Sequence, residues 1–286
     1  MRSGDTVGTG VCAVTVVVLT CNRSRYLREC LNSIRKQTFG NWEIMLSDCS
    51  DDPAQRAAIV SIVQEMAVLY PALRCRMITH PQPISQAKHL RAVIPGIISP
   101  FVALLDDDDV WAEVHLERAI KAMSENPEMG LTVSNGIVIS EGGVRSGFTN
   151  SPDHAIPRQE DRAGWLSLFL RSFYGSTSSY VIRRRAIDRH IYFDTSCVDL
   201  SLAISILLEG FEVTAFREPS YYYRVHEQSS YVKGDQVVVD RYRFRLWLLR
   251  NRGIELSLAC PSFMLLALKS MAGLTARKLK SYFARS

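Results

Sequence analysis

The chain has 286 residues, of which 47% are apolar and 22% charged, a globular composition that excludes a fibrous or disordered protein. Its net charge of +5 is unevenly spread, because ten of the 34 Lys and Arg but only one of the 29 Asp and Glu lie in residues 241–286. That segment carries +9 and residues 1–240 carry −4, so a nucleic-acid-binding surface on the main part of the chain is not expected.

The first hundred residues alternate between strand and helix patterns. β-Branched residues predict a buried strand over 14–20, and apolar residues at helical spacing from Leu27 to Ile34 predict a helix that ends before Gly40. Further strands are predicted over 42–47, 73–79 and 101–105, and further helices over 53–66 and 85–97. This interleaving predicts a mostly parallel sheet with helices on both faces, which binds ligands at the carboxyl ends of its strands.

After about residue 125 the pattern becomes mixed. A loop rich in Gly and Ser is predicted over 141–151, a short helix over 165–171 and a strand over 177–182, and the chain becomes helical and basic from about residue 240. We therefore predict one main α/β domain over 1–240, with halves at about 12–125 and 126–240. Residues 241–286 form a helical C-terminal extension.

The seven cysteines contain no CxxC pair, which indicates a reducing compartment and a cytoplasmic protein. The apolar run over 11–19 is rich in Val and Thr, which favours a buried strand over a secretory signal. The sequence contains no stretch of 18 uncharged apolar residues, so no membrane-spanning helix is predicted. The extension combines basic with apolar residues, so it either lies on an anionic bilayer at the cytoplasmic face or packs on the main domain as a helical pair.

Four consecutive aspartates, 106–109, follow the strand predicted over 101–105. Neighbouring carboxylates repel one another, and a bound cation would offset that repulsion. Carboxylates with free coordination positions suit Mg²⁺ or Mn²⁺ that bridges a diphosphate. The alternative is a solvated loop or a helix N-terminus. We expect Asp109 to cap a helix that begins near Trp111, and the other three to bind metal or ligand.

Two segments, VTVVVLTCNRSRYLRECLNSIRKQTFGNWEIMLSDCSDD over 14–52 and FVALLDDDDVW over 101–111, resemble the nucleotide-sugar half of the family 2 glycosyltransferases of GT-A fold. Two later segments, VDLSLAISILLEGFEV and EPSYYYRVHEQSS, extend the resemblance to about residue 230. It implies a Rossmann-like sheet and an inverting, metal-dependent glycosyltransferase. The donor would be a nucleotide-diphosphate sugar, with UDP as the expected nucleotide. The acceptor would be a saccharide or lipid-linked saccharide used in surface polysaccharide or glycan synthesis.

The resemblance also implies roles for residues of the first half. Asp106, or its neighbour Asp107, approaches the ribose, and Asp108 coordinates the divalent metal. Asp48 reads the base, because a carboxylate accepts the N3 hydrogen of uracil or thymine. The remaining positions implied to bind the nucleotide sugar are Leu19, Thr20, Cys21 and Lys88.

In the second half, the resemblance implies that Asp199 is the general base that takes the proton of the acceptor hydroxyl. Capping of a helix over 200–209 would explain Asp199 equally well. His226 matches a late histidine that is a supplementary metal ligand in the family, and its alternative is a structural role.

The sequence departs from the family pattern at Cys21, Cys49 and Val198, where an aromatic, a polar and an acidic residue are common. The departures at Cys21 and Cys49, together with Lys88 where the family often has Arg, keep a binding or scaffold protein open as an alternative. Val198 leaves catalysis possible, because Asp199 itself is present. A nucleotidyltransferase that makes the sugar nucleotide is a second alternative, but TCNRSRYL after the first strand lacks the Gly-rich phosphate loop that such an enzyme needs.

Overall fold

The computed structural model describes residues 11–151, 155–171, 174–187, 198–227, 229, 234–260 and 262–283. Its elements lie in one α/β unit built around a single sheet. In chain order they are β1 (Val14–Thr20), α1 (Leu27–Arg35), β2 (Trp42–Asp48), α2 (Pro53–Leu69), β3 (Cys75–Thr79), α3 (Gln86–Val93), β4 (Phe101–Asp106), β5 (Val110–Trp111), α4 (His115–Glu125), β6 (Met129–Ser140), β7 (Arg145–Phe148), α5 (Arg162–Arg171), β8 (Val181–Arg183), α6 (Arg184–Ile187), α7 (Val198–Leu208), β9 (Glu212–Val225), α8 (Gly234–Ala259) and α9 (Phe263–Phe283).

The strands lie in the order β3-β2-β1-β4-β8-β6-β9-β5, with β7 paired to β6. The predicted parallel half is confirmed, because β3, β2, β1 and β4 are all parallel. β8 runs antiparallel to β4 and β6, and β9 runs parallel to β6, so the sheet is mixed in its second half. In register, Thr20 pairs with Asp48 and Leu19 with Asp106, which brings three chain segments to one edge.

β1 is buried on both faces, which explains why its sequence, VTVVVLT, contains only apolar residues and threonine. Val14, Val16 and Val18 pack in the core that includes α1 and α4. Val17 and Leu19 point the other way, into the core that includes α3, α5 and α7. Alternate side chains of one strand therefore join two cores, and they fix the position of the polar residues that follow the strand.

The second half differs from two sequence predictions. The predicted strand over 177–182 is wrong in its first part, because Thr177–Ser179 form a 3-10 turn and β8 begins at Val181. Ser176 and Ser179 cap that turn reciprocally, which competes locally with strand pairing. The loop predicted over 141–151 contains the exposed strand β7, which pairs with β6.

The C-terminal helices pack on the sheet domain. Phe244, Leu248, Leu256 and Phe263 are buried in the same core as α5 and α7. Helix α8 begins at Gly234, ahead of the boundary predicted at residue 241, and its backbone kinks at Arg252. No helix in the described part of the chain is long and apolar enough to cross a membrane.

Exposed apolar side chains nevertheless cluster on these two helices. Ile254 and Leu258 of α8 are 83% and 81% exposed, at a spacing that puts them on one helix face. Among the side chains of α9 that the structure describes, over 263–273, the large exposed apolar ones are Met264, Leu265, Leu268 and Met271.

Candidate functional site

The carboxyl ends of β1, β2 and β4 bring together the polar residues that the sequence placed after each strand. The turn after β1 is held by Asn22, which adopts a positive φ of 52°. Its backbone N–H donates to Ser50 Oγ at 2.7 Å, and its side chain amide donates to Asp51 Oδ1 at 2.6 Å. These bonds join the turn after β1 to the turn after β2 and aim Arg23 toward the end of β4.

Asp48, at the end of β2, is fully buried. Its Oδ1 accepts hydrogen bonds from Ser50 N at 2.8 Å and from Ser50 Oγ at 2.6 Å. Its Oδ2 has no hydrogen-bond partner, and Arg56 Nε lies 3.7 Å from it. One carboxylate oxygen is thus fixed by the chain, and the other keeps its acceptor capacity.

Four of the other predicted nucleotide-sugar positions differ in their exposure. Leu19 packs in the apolar core, so only its backbone is at the strand end. Cys21 is half-buried and donates to the carbonyl of Cys49 at 3.4 Å, and burial raises the pKa of its thiol to about 12. Lys88 is exposed on the first turn of α3, which Ser85 caps. Thr20, between Leu19 and Cys21, is buried.

The four aspartates after β4 have separate partners. Asp106 Oδ1 accepts from Gln86 Nε2 of α3 at 3.1 Å. Asp107 is 1% exposed and forms an ion pair with Arg23. Asp108 Oδ2 lies 2.8 Å from Arg23 Nη1. The cluster therefore holds several carboxylates around one guanidinium.

The expectation that Asp109 caps a helix is wrong. Helix α4 begins at His115, well after Asp109, and Val114 is its N-cap. Asp109 is instead buried, and it accepts hydrogen bonds from Ser178 Oγ at 2.6 Å and from the backbone N–H of Arg224 at 2.8 Å. The short strand β5 intervenes between the aspartates and the helix, and it leaves Asp109 to connect β4 with β9.

The electrostatic state of the cluster follows from burial and mutual repulsion. Burial, and then the charge of Asp108, raise the pKa of Asp106. Burial also raises the pKa of Asp107, against the opposing effect of Arg23, and it raises the pKa of Asp109 further. One guanidinium therefore does not neutralise these carboxylates fully, and an additional cation would stabilise their charged forms.

Asp108 and His226 form the pair that best fits a divalent metal. His226, just after β9, is 7% exposed, and its Nε2 lies 2.9 Å from Asp108 Oδ2. Two adjacent ligands of one octahedral ion, each about 2.1 Å from it, stand about 3 Å apart, which matches this distance. Within the described segments, no group of three or more His, Cys, Asp or Glu is spaced to hold a metal alone. The pair suits an ion whose other ligands are diphosphate oxygens and water.

Arg224 fixes the backbone beneath this pair. It is 3% exposed, and its Nε donates to the carbonyl of Asp108 at 2.9 Å. Its Nη2 donates to Glu29 Oε2 at 2.6 Å, and its guanidinium lies 4.7 Å from the ring of Tyr26. The same ring lies 5.3 Å from that of His226. A single buried side chain thus connects α1, the end of β4 and β9.

Asp199 lies in the first turn of α7 and is half-buried. Its Oδ1 accepts from the backbone N–H of Leu200 at 2.8 Å. Burial is the largest cause of the raised pKa values of Asp106, Tyr180 and Tyr221, and the negative charge of Asp199 adds to each of them. Asp199 therefore lies within electrostatic reach of the end of β4.

Sequence reasoning did not assign roles to several residues that hold this site together. Arg23 was visible only as part of a polar turn, and its partners lie more than 80 residues further along the chain. Ser178 accepts from the backbone N–H of Asp106 at 3.0 Å as well as donating to Asp109. Gln86 and Arg224 gave no signal beyond residue type, because their partners depend on strand register and helix placement.

Comparisons with known proteins agree with this fold. The model of glycosyl transferase family 2 matches residues 15–191. The UDP-Glc:alpha-D-GlcNAc-diphosphoundecaprenol beta-1,3-glucosyltransferase WfgD of Escherichia coli is 24% identical over 113 residues, which are 40% of this chain and 42% of that protein. The chain spans less than half the length of the curated relatives it matches.

Two solved structures share the fold at low identity. TarS 1–349 of S. aureus in complex with UDP-GlcNAc is 19% identical with a TM-score of 0.61, over 82% of this chain and 65% of that chain. Mannosyltransferase PcManGT from Pyrobaculum calidifontis, in complex with GDP-Man and Mn2+, is 17% identical with a TM-score of 0.63, over 97% of this chain and 81% of that chain. Since the family match covers more than half of its residues, the chain belongs to glycosyl transferase family 2, and the likeness to these two structures shows that it has the GT-A fold.

Proposed function

We propose that the protein is an inverting, metal-dependent glycosyltransferase that moves a sugar from a UDP-linked donor to the hydroxyl of a saccharide or lipid-linked saccharide. The observation that carries the proposal is the pairing of Asp108 Oδ2 with His226 Nε2 at 2.9 Å, at the strand edge that also holds Asp48 and Asp106. In this family the strand edge is where a nucleotide sugar is expected, and relatives in complexes with UDP-GlcNAc and GDP-Man support it.

In the proposal Asp48 reads the base. Ser50 occupies Oδ1, and Oδ2 keeps unused lone pairs that accept the N3 hydrogen of uracil. Thr20 and Cys21 line the same strand end, while Asp106, or Asp107 beside it, approaches the ribose. Lys88, exposed on the first turn of α3, faces the diphosphate as a point charge.

Asp108 and His226 would hold Mg²⁺ or Mn²⁺, and an imidazole ligand favours Mn²⁺ of the two. A divalent ion bound there supplies Lewis-acid stabilisation of the negative charge that develops on the leaving diphosphate. The residues around it orient the pair: Arg224 holds the carbonyl of Asp108, and the ring of Tyr26 packs beside that of His226.

Asp199 is the proposed general base. It accepts the proton of the acceptor hydroxyl as that oxygen attacks the anomeric carbon from the face opposite the leaving group. Its half-buried position, and the influence of its charge on Asp106, support a location beside the donor. The helix-cap alternative predicts instead that its replacement lowers stability and leaves the chemistry intact.

Two isosteric variants test the assignment. Asp199→Asn is expected to bind UDP in the presence of Mn²⁺ as the wild type does, while transfer to acceptor falls by orders of magnitude. Asp108→Asn is expected to lose the dependence of UDP binding on Mn²⁺. Full transfer by Asp199→Asn would remove the base assignment. A protein that binds UDP-sugars but never releases UDP from them would be a scaffold rather than an enzyme.

We further propose a peripheral contact between α8 and α9 and the anionic cytoplasmic face of a membrane, which would suit a lipid-linked acceptor. Exposed apolar residues such as Ile254, Leu258 and Leu268 supply the insertion surface, and the excess of basic residues over 241–286 supplies attraction to anionic headgroups. Part of the pair packs on the domain, so the proposal concerns only its outward face.

The membrane contact is tested by sedimentation with vesicles that contain phosphatidylglycerol. The triple variant Ile254→Gln, Leu258→Gln and Leu268→Gln is expected to stay in the supernatant, whereas the wild type sediments. Val68→Gln on α2 is the matched control, because Val68 is 78% exposed outside the C-terminal helices. Equal sedimentation of the triple variant and the wild type would exclude this surface.

A further inference from the structure

Arg23 holds the position next to Asp108 that a divalent cation would need. Its Nη1 lies 2.8 Å from Asp108 Oδ2, the same oxygen that His226 Nε2 approaches at 2.9 Å. Its Nη2 forms a second ion pair, with Asp107. The guanidinium therefore supplies, from within the chain, positive charge at the carboxylate assigned to the metal.

Simultaneous contact of a metal ion and Arg23 with Asp108 Oδ2 is electrostatically unfavourable. An ion coordinated by Asp108 Oδ2 would lie about 2.1 Å from that atom, and so within about 5 Å of the guanidinium nitrogen that contacts it. Two like charges at that distance repel strongly in a largely buried site. Coordination of the ion therefore favours withdrawal of Arg23 from Asp108.

The side chain of Arg23 is placed to move from Asp108 to another anionic partner. It is 25% exposed, whereas the side chain of Asp107 is fully buried, so the arginine covers the acidic cluster from the solvent side. A guanidinium released from Asp108 beside a diphosphate would find negatively charged oxygens on its two phosphates, which accept pairs of hydrogen bonds from the planar guanidinium. Contacts between Arg23 and the diphosphate would thus replace the contact with Asp108 that is lost when the ion binds.

We propose that Arg23 is a built-in placeholder for the divalent cation: it neutralises Asp108 while the donor is absent, and it transfers to the diphosphate when ion and nucleotide bind together. The ion then binds weakly alone and tightly with nucleoside diphosphate, and the coupling is reciprocal. This inference rests on the proposed metal-dependent function, because it needs a cation at Asp108.

The test measures Mn²⁺ affinity without catalysis, from the loss of the EPR signal of free Mn²⁺, in the absence and presence of UDP. Arg23→Gln is expected to bind Mn²⁺ alone about tenfold more tightly than the wild type, and UDP is expected to improve Mn²⁺ affinity less than in the wild type. Arg23→Lys, which keeps the charge but not the fork, is expected to lie between them. Arg28→Gln is the matched control for charge, because Arg28 is exposed and pairs with Glu65 on α2.

Failure of the inference and failure of the proposed function give different results. If wild-type protein binds no Mn²⁺ even with UDP, the proposed metal-dependent function is wrong. If the wild type binds Mn²⁺ with UDP, but folded Arg23→Gln and Arg23→Lys bind Mn²⁺ alone no more tightly than the wild type, the placeholder role is overturned. A thermal melt of each variant establishes that it is folded.

Discussion

Replacement of Arg224 by Met should both destabilise the protein and weaken the proposed metal site. The guanidinium donates to Asp108 O at 2.9 Å, to Glu141 O at 3.0 Å and to Glu29 Oε2 at 2.6 Å. Met fills a similar volume but donates nothing, so two backbone carbonyls lose a buried donor. The loss of the donor to a buried carbonyl costs about 1–3 kcal/mol, and the exposed Glu29 regains water, so the two carbonyls together account for about 2–4 kcal/mol of a stability of about 5–15 kcal/mol.

Urea denaturation followed by circular dichroism measures this loss. With a dependence of about 2–3 kcal/mol per M, the midpoint of Arg224→Met should fall by about 1–2 M. Arg185→Met is the control, because Arg185 is exposed and its ion pair with Glu128 is long, at 3.5 Å. The urea midpoint of Arg185→Met should move by less than about 0.5 M. Equal midpoints for Arg224→Met and the wild type would refute the reasoning, and so would unchanged Mn²⁺ affinity in the presence of UDP.

Three further predictions concern single residues. Burial lowers the pKa of His115 to about 3, so as the pH falls below about 6.5 the unfolded chain takes up a proton before the folded protein does, and stability decreases. Between pH 7.5 and 5.5, the free energy of unfolding of the wild type should fall by about 1.4 kcal/mol more than that of His115→Gln in urea titrations. Equal losses would contradict this. Asp48→Asn should weaken UDP binding about 10- to 100-fold by calorimetry, whereas a purely structural Asp48 predicts lower stability with UDP affinity retained. Gly136→Ala should lower the free energy of unfolding by about 1–3 kcal/mol, because its new Cβ would lie 2.5 Å from the ring of Tyr221. Gly40→Ala is the control, because a Cβ at Gly40 meets nothing within 4 Å. Comparable melting temperatures for the two variants would exclude the clash.

The parallel half of the fold could be predicted because its signals are local. Runs rich in β-branched residues, such as that over 14–20, indicate strands buried on both faces, and the helices predicted between them require crossover connections. The carboxyl ends of neighbouring parallel strands lie at one edge of the sheet. The sequence alone therefore predicted that Thr20, Asp48 and Asp106 lie close together. The second half was less predictable, because its mixed pairings are set by contacts that a linear pattern does not contain.

The site was predictable only as far as its residues matched a family pattern. The approach of His226 to Asp108, 118 residues apart, was anticipated by that resemblance and by nothing in the spacing. Asp109 was misassigned because a helix cap is a local explanation, whereas its partners, Ser178 and Arg224, come from distant segments. Arg23 was missed for the same reason.

In the proposed function, this strand edge transfers sugar from a nucleotide donor with the help of a divalent ion. The decisive experiment is chromatographic measurement of the nucleoside diphosphate released from a panel of UDP-, GDP- and dTDP-sugars. We expect release of UDP from a UDP-sugar, its loss on treatment with EDTA, and its recovery with Mn²⁺. Release that is unchanged by EDTA, or no release from any donor in the panel with Mn²⁺ and a saccharide acceptor mixture present, would contradict it.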